Sequence, residues 1–285
     1  MKQNTSGIIA INIAALLLGG TILFAKLISM PAVSIIFGRA IIALIALFVF
    51  SLIAKQPLKI SSKNDFIVIA ALGILMALHW TSLFHSIQIS TVAIASISLY
   101  TYPIITVFLE PLFLKEKIKF QDIIMAALVF AGILLIIPEF TIKNDITMGV
   151  IVGLFSALTF ALRNIIQRKY VIHYPGTTLI LYQIIIVIIA LIPFIDFKSN
   201  LPANTNMIYI IVLGIFFTAT PHSLFAFSLN NLKAKSVSII ASMQPFYATI
   251  FGVIILNEIP TIKVIFGGLL IVACAMYESF KVSSN

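Results

Sequence analysis

Four groups of polar side chains interrupt otherwise apolar stretches of this chain, and they are the residues with chemistry to offer. The first is His79, Trp80, Ser82, His85 and Ser86. His79, Ser82 and Ser86 are spaced i, i+3 and i+7, which puts them on one face of a helix, with His85 beside that face and Trp80 set about 100° from His79. The second is a stripe of Ser156, Thr159, Arg163 and Gln167, with Asn164 next to it. Thr220, Pro221, His222 and Ser223 form the third, and the fourth is divided between Tyr100 and Tyr102 before Pro103 and Gln244 and Tyr247 around Pro245. Such groups bind polar solutes through hydrogen bonds, and a guanidinium pairs with a carboxylate or a phosphate. Catalysis would need paired carboxylates or a His-Asp cluster at metal-ligand spacing, and neither is present. No GxxxxGK[ST] or GxGxxG pattern occurs, so no metal, nucleotide cofactor or ATP-driven step is expected.

Each group also has a plainer reading. The histidines suit hydrogen bonds between helices, and Trp80 suits an anchor at the membrane interface. Arg163 lies far enough toward one face to snorkel and join Arg168 and Lys169 as a topology signal. Pro103 and Pro245 suit kinks. The candidate solute contacts are therefore His79, Trp80, Tyr100, Arg163, Asn164, His222 and Gln244, with both readings open for each.

The elements that must position these residues follow from composition. A chain that is 61% hydrophobic and 9% charged, with a mean hydropathy of +1.16, lacks the polar surface of a water-soluble protein. It is an integral membrane protein. Ten apolar runs are long enough to cross a bilayer as helices: roughly 7–28, 33–54, 66–88, 91–113, 120–138, 146–168, 176–195, 207–229, 235–256 and 261–280. No period-2 alternation is sustained, which argues against a barrel. The single cysteine, Cys274, rules out an internal disulfide. The net charge of +9 resides in short loops and not on one broad face, so nucleic acid is not the expected partner; the bilayer and a small solute are.

With the N-terminus inside, twelve of the eighteen basic residues fall on the inner side: Lys2, Lys55, Lys59, Lys63, Lys115, Lys117, Lys119, Arg168, Lys169, Lys233, Lys235 and Lys281. Basic residues favour the cytoplasmic side, so both termini are expected in the cytoplasm of a multi-pass inner-membrane protein.

The ten runs are two sets of five. Adding 142 carries Gly7 onto Gly149, Ser86 onto Ser228, Ser96 onto Ser238, Pro103 onto Pro245 and Glu116 onto Glu258. A proline and a glutamate thirteen residues apart recurring in one register point to a duplicated half, 1–142 and 143–285. Five is odd, so the second copy enters the membrane with the opposite polarity; accordingly Thr91 and Ala93 become Lys233 and Lys235. Inverted repeats of this kind build many secondary transporters, with a site near mid-membrane where the halves meet. Glu116 and Glu258 stand where a carboxylate meets the positive end of the helix that follows.

Pro103 to Glu116 followed by MAALVFAGILLI, the same arrangement at Pro245 to Glu258 followed by FGGLLIVACA, and FGRAIIAL around Arg39 together resemble the EamA family of the drug/metabolite transporter superfamily. The resemblance covers essentially the whole chain and occurs twice. It implies an all-α fold of ten transmembrane helices in two inverted five-helix repeats, and a carrier of a small metabolite or amino acid; that the solute is polar and is exported or exchanged is a separate expectation. It further implies a cavity bordered by helices 1, 3, 4, 6, 8 and 9. The counterpart of Arg39 in the second copy, two residues out of register, is Gln183. A proton is a possible coupling ion, and monomer and dimer both remain open. The competing readings, a membrane-embedded enzyme or a non-transporting scaffold, lack a water-edge catalytic constellation and an extramembrane domain respectively.

Overall fold

The computed structural model describes residues 5–114, 118, 120–138, 141–171, 173–196, 204–232, 237 and 240–282. Glu116 of the repeated motif, with Lys115, Lys117, Lys233 and Lys235, lies outside the described residues. Among those described the chain is helical, with no strand. In hydrocarbon every backbone N–H and C=O must find its partner within the chain, and an α-helix does so within one segment. Span 1 comprises α1 (Thr5–Thr21) and the short α2 (Phe24–Leu27); spans 2 and 3 are α3 (Ala32–Ile53) and α4 (Lys63–Ile89). Span 4 is divided into α5 (Val92–Leu99) and α6 (Tyr102–Leu114), and span 5 is α7 (Phe120–Ile136). Spans 6 and 7 are α8 (Asp145–Tyr170) and α9 (Gly176–Leu191). Span 8 runs through α10 (Asn204–Gly214), a π-helical turn at Ile215–Ala219 and α11 (Thr220–Asn231). Spans 9 and 10 contain α12 (Gln244–Leu256) and α13 (Ile262–Val282). Among the described residues seven spans are long and apolar enough to cross a bilayer, and three shorter apolar helices complete the ten. Large hydrophobic side chains such as Phe130 (61%) and Ile254 (71%) lie exposed, a disposition favoured where the surrounding solvent is lipid.

The helix pairs are unchanged when the halves are exchanged. α1 packs on α11 as α8 packs on α4; α3 packs on α10 as α9 packs on α4; α1 packs on α12 as α8 packs on α6. α7 with α13 and α3 with α9 pair each with its own counterpart, and α5 of span 4 packs on α12 of the counterpart span 9. One hydrogen bond states the relation at atomic detail. Ser86 Oγ donates to Gly149 O at 2.6 Å, and its repeat-mate Ser228 Oγ donates to Gly7 O at 3.1 Å. Because each half contributes an odd number of spans, this two-fold relation inverts one half against the other.

Either serine changed to alanine should cost about 0.6–1 kcal/mol, the usual worth of a side-chain hydrogen bond between helices in a bilayer. The two bonds lie near opposite ends of the bundle, so the costs should add in the double variant, as read from unfolding in bicelles. A double variant no weaker than either single one would refute the two-fold pairing.

Small residues set the closeness of the crossings. A Cβ on Gly73 would stand 3.0 Å from Gln183 O, and one on Gly214 would stand 3.1 Å from Arg39 O. The repeat slips by two residues at spans 2 and 7. Pro31 and Pro175 precede α3 and α9 with nearly the same backbone angles, φ −58°, ψ 144° and φ −57°, ψ 138°. That offset of 144 makes Gln183 the structural counterpart of Arg39.

Candidate functional site

Spans 4 and 9 break at the same place. The helix stops at Tyr100–Thr101 in one and at Ser242–Met243 in the other, and resumes with Pro103 and Pro245 each in second position of the new helix. Tight turns bridge both gaps: Ile104 N–H bonds Thr101 O, and Phe246 N–H bonds Met243 O, each at 3.1 Å. A proline near a helix start loses no intrahelical bond, so the chain reorients there at little cost. The expected kinks are thus full interruptions. In membrane carriers, paired interruptions in matching spans mark the binding region.

Span 8 is altered by Pro221, which cannot donate to the carbonyl four residues earlier, Phe217 O. Thr21 Oγ1, from α1 of the other half, donates to that oxygen at 2.8 Å. The chain widens there into the π turn, which places His222 beside Trp80, with ring centres 6.4 Å apart.

Around these breaks the aromatic side chains form a file. Tyr100 meets Tyr102 (5.9 Å), Tyr102 meets Phe160 edge-on (4.8 Å), and Phe160 stacks on His79 (4.7 Å). The next residue on α4, Trp80, faces the other way, and the Arg39 guanidinium carbon stands 4.0 Å from its ring centre and 5.0 Å from that of Phe84. α4 thereby joins a tyrosine-rich side to an arginine-bearing one.

Most of the expected contacts gather here, but several are occupied by other protein groups. His79 Nδ1 lies 2.8 Å from Ser156 Oγ, which itself donates to His79 O at 2.9 Å. The polar faces of spans 3 and 6 therefore meet each other, and the interhelical reading describes His79. Tyr100 donates its hydroxyl to Ala241 O at 3.0 Å. Arg163 does not snorkel: its Nε donates to Gln183 Oε1 at 2.7 Å and its Nη1 to Asn164 Oδ1 at 3.2 Å, and Gln183 donates on to Gln167 Oε1. Gln244 is half-buried in the first turn of α12, with its carbonyl against Gly19. His85 is exposed.

Arg39 is the residue that sequence reasoning left out of the site. It is 3% exposed, yet its Nε and Nη1 have no hydrogen-bond partner. By helical rise it lies about 10 Å into α3 from Ala32, within the hydrocarbon layer. Contact with the aromatic faces returns about 0.5–2 kcal/mol, against about 1–3 kcal/mol or more for each buried donor left unsatisfied. The cation is underpaid where it stands. Neither it nor Arg163 enters an ion pair among the described residues. The signal was available, since a lone arginine inside an apolar run is a functional candidate on cost alone.

Ionic contacts between the halves flank this region. Asn257 takes a left-handed conformation (φ 55°) after α12, so Glu258 folds back with its N–H on Gly252 O. Its carboxylate then meets α5 of the other half and not the helix that follows it: Oε2 accepts Val92 N–H at 2.8 Å, and Oε1 lies 3.8 Å from Lys26 Nζ. Lys26 in turn donates to Ser90 O at 2.8 Å. A cation thus meets the negative end of α4 and an anion the positive end of α5, at one junction. Arg168, the repeat-mate of Lys26, pairs with Glu110 at 3.0 Å, at the other end of the bundle.

An open groove of about 440 Å³ runs between α3 and α9, lined by Leu44, Phe48 and Tyr182, and a cleft of about 100 Å³ lies by Pro245 and Gly268. Neither is lined by Arg39, Trp80 or His222.

Comparison with known proteins agrees with this architecture. A transporter of Bacillus subtilis (strain 168), itself uncharacterized, is 26% identical over 259 residues, covering 89% of this chain and 83% of its own. The S-adenosylmethionine uptake transporter of Rickettsia felis is 24% identical over 211 residues, covering 72% and 69%. One crystal structure superposes over the full length of both chains with a TM-score of 0.65 at 14% identity, which shows the shared fold. The profile of the EamA-like transporter family matches twice, at residues 5–137 and 147–277. A duplicated five-span unit, its helix pairs exchanged across a two-fold relation and each copy matched by that profile, makes this chain a member of the EamA-like transporter family.

Proposed function

We propose that the chain is a secondary transporter that moves a small polar metabolite or amino acid across the cytoplasmic membrane by alternating access, as an exporter or exchanger. What supports this reading is the exchange of helix pairs between inverted halves around the interrupted spans 4 and 9. A two-fold relation of that kind lets each half take the other's conformation, turning the opening from one side to the other. The ion pairs Lys26–Glu258 and Arg168–Glu110 sit where such openings would form. The excess of basic residues in the loops of one side supports cytoplasmic termini, with the Lys26–Glu258 end outside. The units exchanged are 1–142 and 143–285. Trp80, His222, Arg163 and Asn164 form the walls of the solute site, with Tyr100, His79 and Gln244 at its border. Pro103 and Pro245 mark its hinges, and Glu258 stands at its outer end.

Counterflow in proteoliposomes tests the reading without regard to direction. Labelled solutes from a panel of amino acids, organic acids and S-adenosylmethionine, the last included because relatives carry that name, should enter only when vesicles are preloaded with the same unlabelled solute. Entry independent of preloading, or none above empty liposomes across the panel, would overturn it.

A further inference from the structure

We infer that Arg39 is the anion anchor of the solute site and that the transported solute carries a single carboxylate, held by the Arg39 guanidinium beside the Trp80 ring. This rests on the transport reading and deepens it.

The observation is a break in symmetry. Around Arg39 the repeat is followed closely: the prolines before α3 and α9 match, and the glycine crossings at Gly73 and Gly214 bring α4 and α10 against the backbone at Gln183 and at Arg39 respectively. A residue needed only to hold the fold would be expected in both halves. Instead the second half has Gln183, whose amide is engaged by Arg163 and Gln167, and the first has a cation whose Nε and Nη1 bond nothing. A guanidinium with open N–H donors, 4.0 Å from an indole ring centre and away from water, is built to receive a planar oxyanion.

The open donors select the class. Arg163 has its Nε and Nη1 bound to neutral amides, whereas Nε and Nη1 of Arg39 bond nothing, so the donors shown open belong to one guanidinium, which suits one carboxylate. No carboxylate of the described residues pairs with either arginine, so nothing there offsets a cationic solute.

Trp80 is the only tryptophan in the chain and stands 4.0 Å from the guanidinium, so intrinsic fluorescence reports the site directly. The purified full chain in nanodiscs would be titrated with the twenty L-amino acids, the amide of each, and glycerol 3-phosphate. At least one acid should change the emission saturably, with its amide at least roughly 30-fold weaker, as expected when a buried charged donor loses its partner. Arg39→Gln, which installs the side chain already present at position 183, should lose the response by a similar factor while its melting profile remains cooperative. Arg39→Lys should keep part of it. The acid-against-amide comparison needs no variant, so a folding defect does not shield the inference. It is overturned if no acid gives a saturable change, if the amides match the acids, if glycerol 3-phosphate binds in preference, or if Arg39→Gln binds as wild type. Counterflow of a neutral solute unaffected by Arg39→Gln would overturn it and leave the transport reading standing; acid binding at Trp80 without counterflow of that acid would do the reverse.

Discussion

Gly267→Val will remove most of the folded protein. α7 and α13 cross beside the two-fold relation with backbone nearly in contact. A Cβ at position 267 would stand 2.6 Å from Gly132 O and 2.9 Å from Ile136 Cγ1, and one at Gly132 would stand 3.0 Å from Gly267 O. A carbonyl oxygen fixed in a helix cannot rotate aside as a long side chain can, so the helices must separate and every contact along the crossing weakens. Overpacking a well-filled interface costs about 1–3 kcal/mol and sometimes more. Valine, with two further methyl groups, belongs at the upper end of that range, a large share of a marginal total. The expected result is loss of the monodisperse peak in size-exclusion chromatography. Gly267→Ala should remain folded but melt well below wild type. Gly176→Ala is the control: nothing lies within 4 Å of the added atom, so its effect should stay within about 0.5 kcal/mol. If Gly267→Val elutes and melts as wild type, the α7–α13 crossing is not as close as described.

The second large effect concerns the junction of α4 and α5. Glu258→Ala removes a charged acceptor from Val92 N–H and a partner from Lys26. The ion pair itself contributes little, under about 1 kcal/mol, because both side chains are partly exposed and its separation is 3.8 Å. The hydrogen bond from the helix start to a carboxylate contributes more, about 1.5–3 kcal/mol. If the junction holds one end of the site closed, losing about 2 kcal/mol shifts the balance toward the open state by roughly 30-fold. Ala93, buried in the first turn of α5, can report this. With Ala93→Cys in a Cys274→Ser background, an impermeant maleimide should label the Glu258→Ala protein at least tenfold faster than its parent. Glu258→Gln, which keeps an acceptor for Val92 N–H but no charge, should fall between. Equal labelling rates in all three would show that the junction closes nothing.

Much of the architecture was legible in the order of residues because the bilayer imposes a length and the duplication imposes a register. A helix must run about twenty apolar residues to cross, so the ten spans and most of their ends could be read directly. The offset of 142 foretold that Ser86 and Ser228 are equivalent, and they make the same hydrogen bond to Gly149 and Gly7. Pro221 announced an orphaned carbonyl, and Thr21 meets it.

Which helix each motif faces was decided only by the tertiary structure. Periodicity assigns a side chain to a face of its own helix and says nothing about the helix opposite. His79 and Ser82 shared a predicted face, and only packing showed that His79 is taken by Ser156, 77 residues away. Glu258 was expected at the start of its own next helix; the left-handed turn at Asn257 sends it to α5, 166 residues away. Arg163 and Arg39 look alike as lone arginines in apolar runs. Packing gives one a glutamine and an asparagine and leaves two donors of the other open, because α9 brings Gln183 to Arg163 while α3 brings Arg39 only to rings. Local patterns and membrane thickness are written residue by residue along the chain; the pairing of distant polar groups is a property of how helices cross, and it exists only once the two halves have closed on each other.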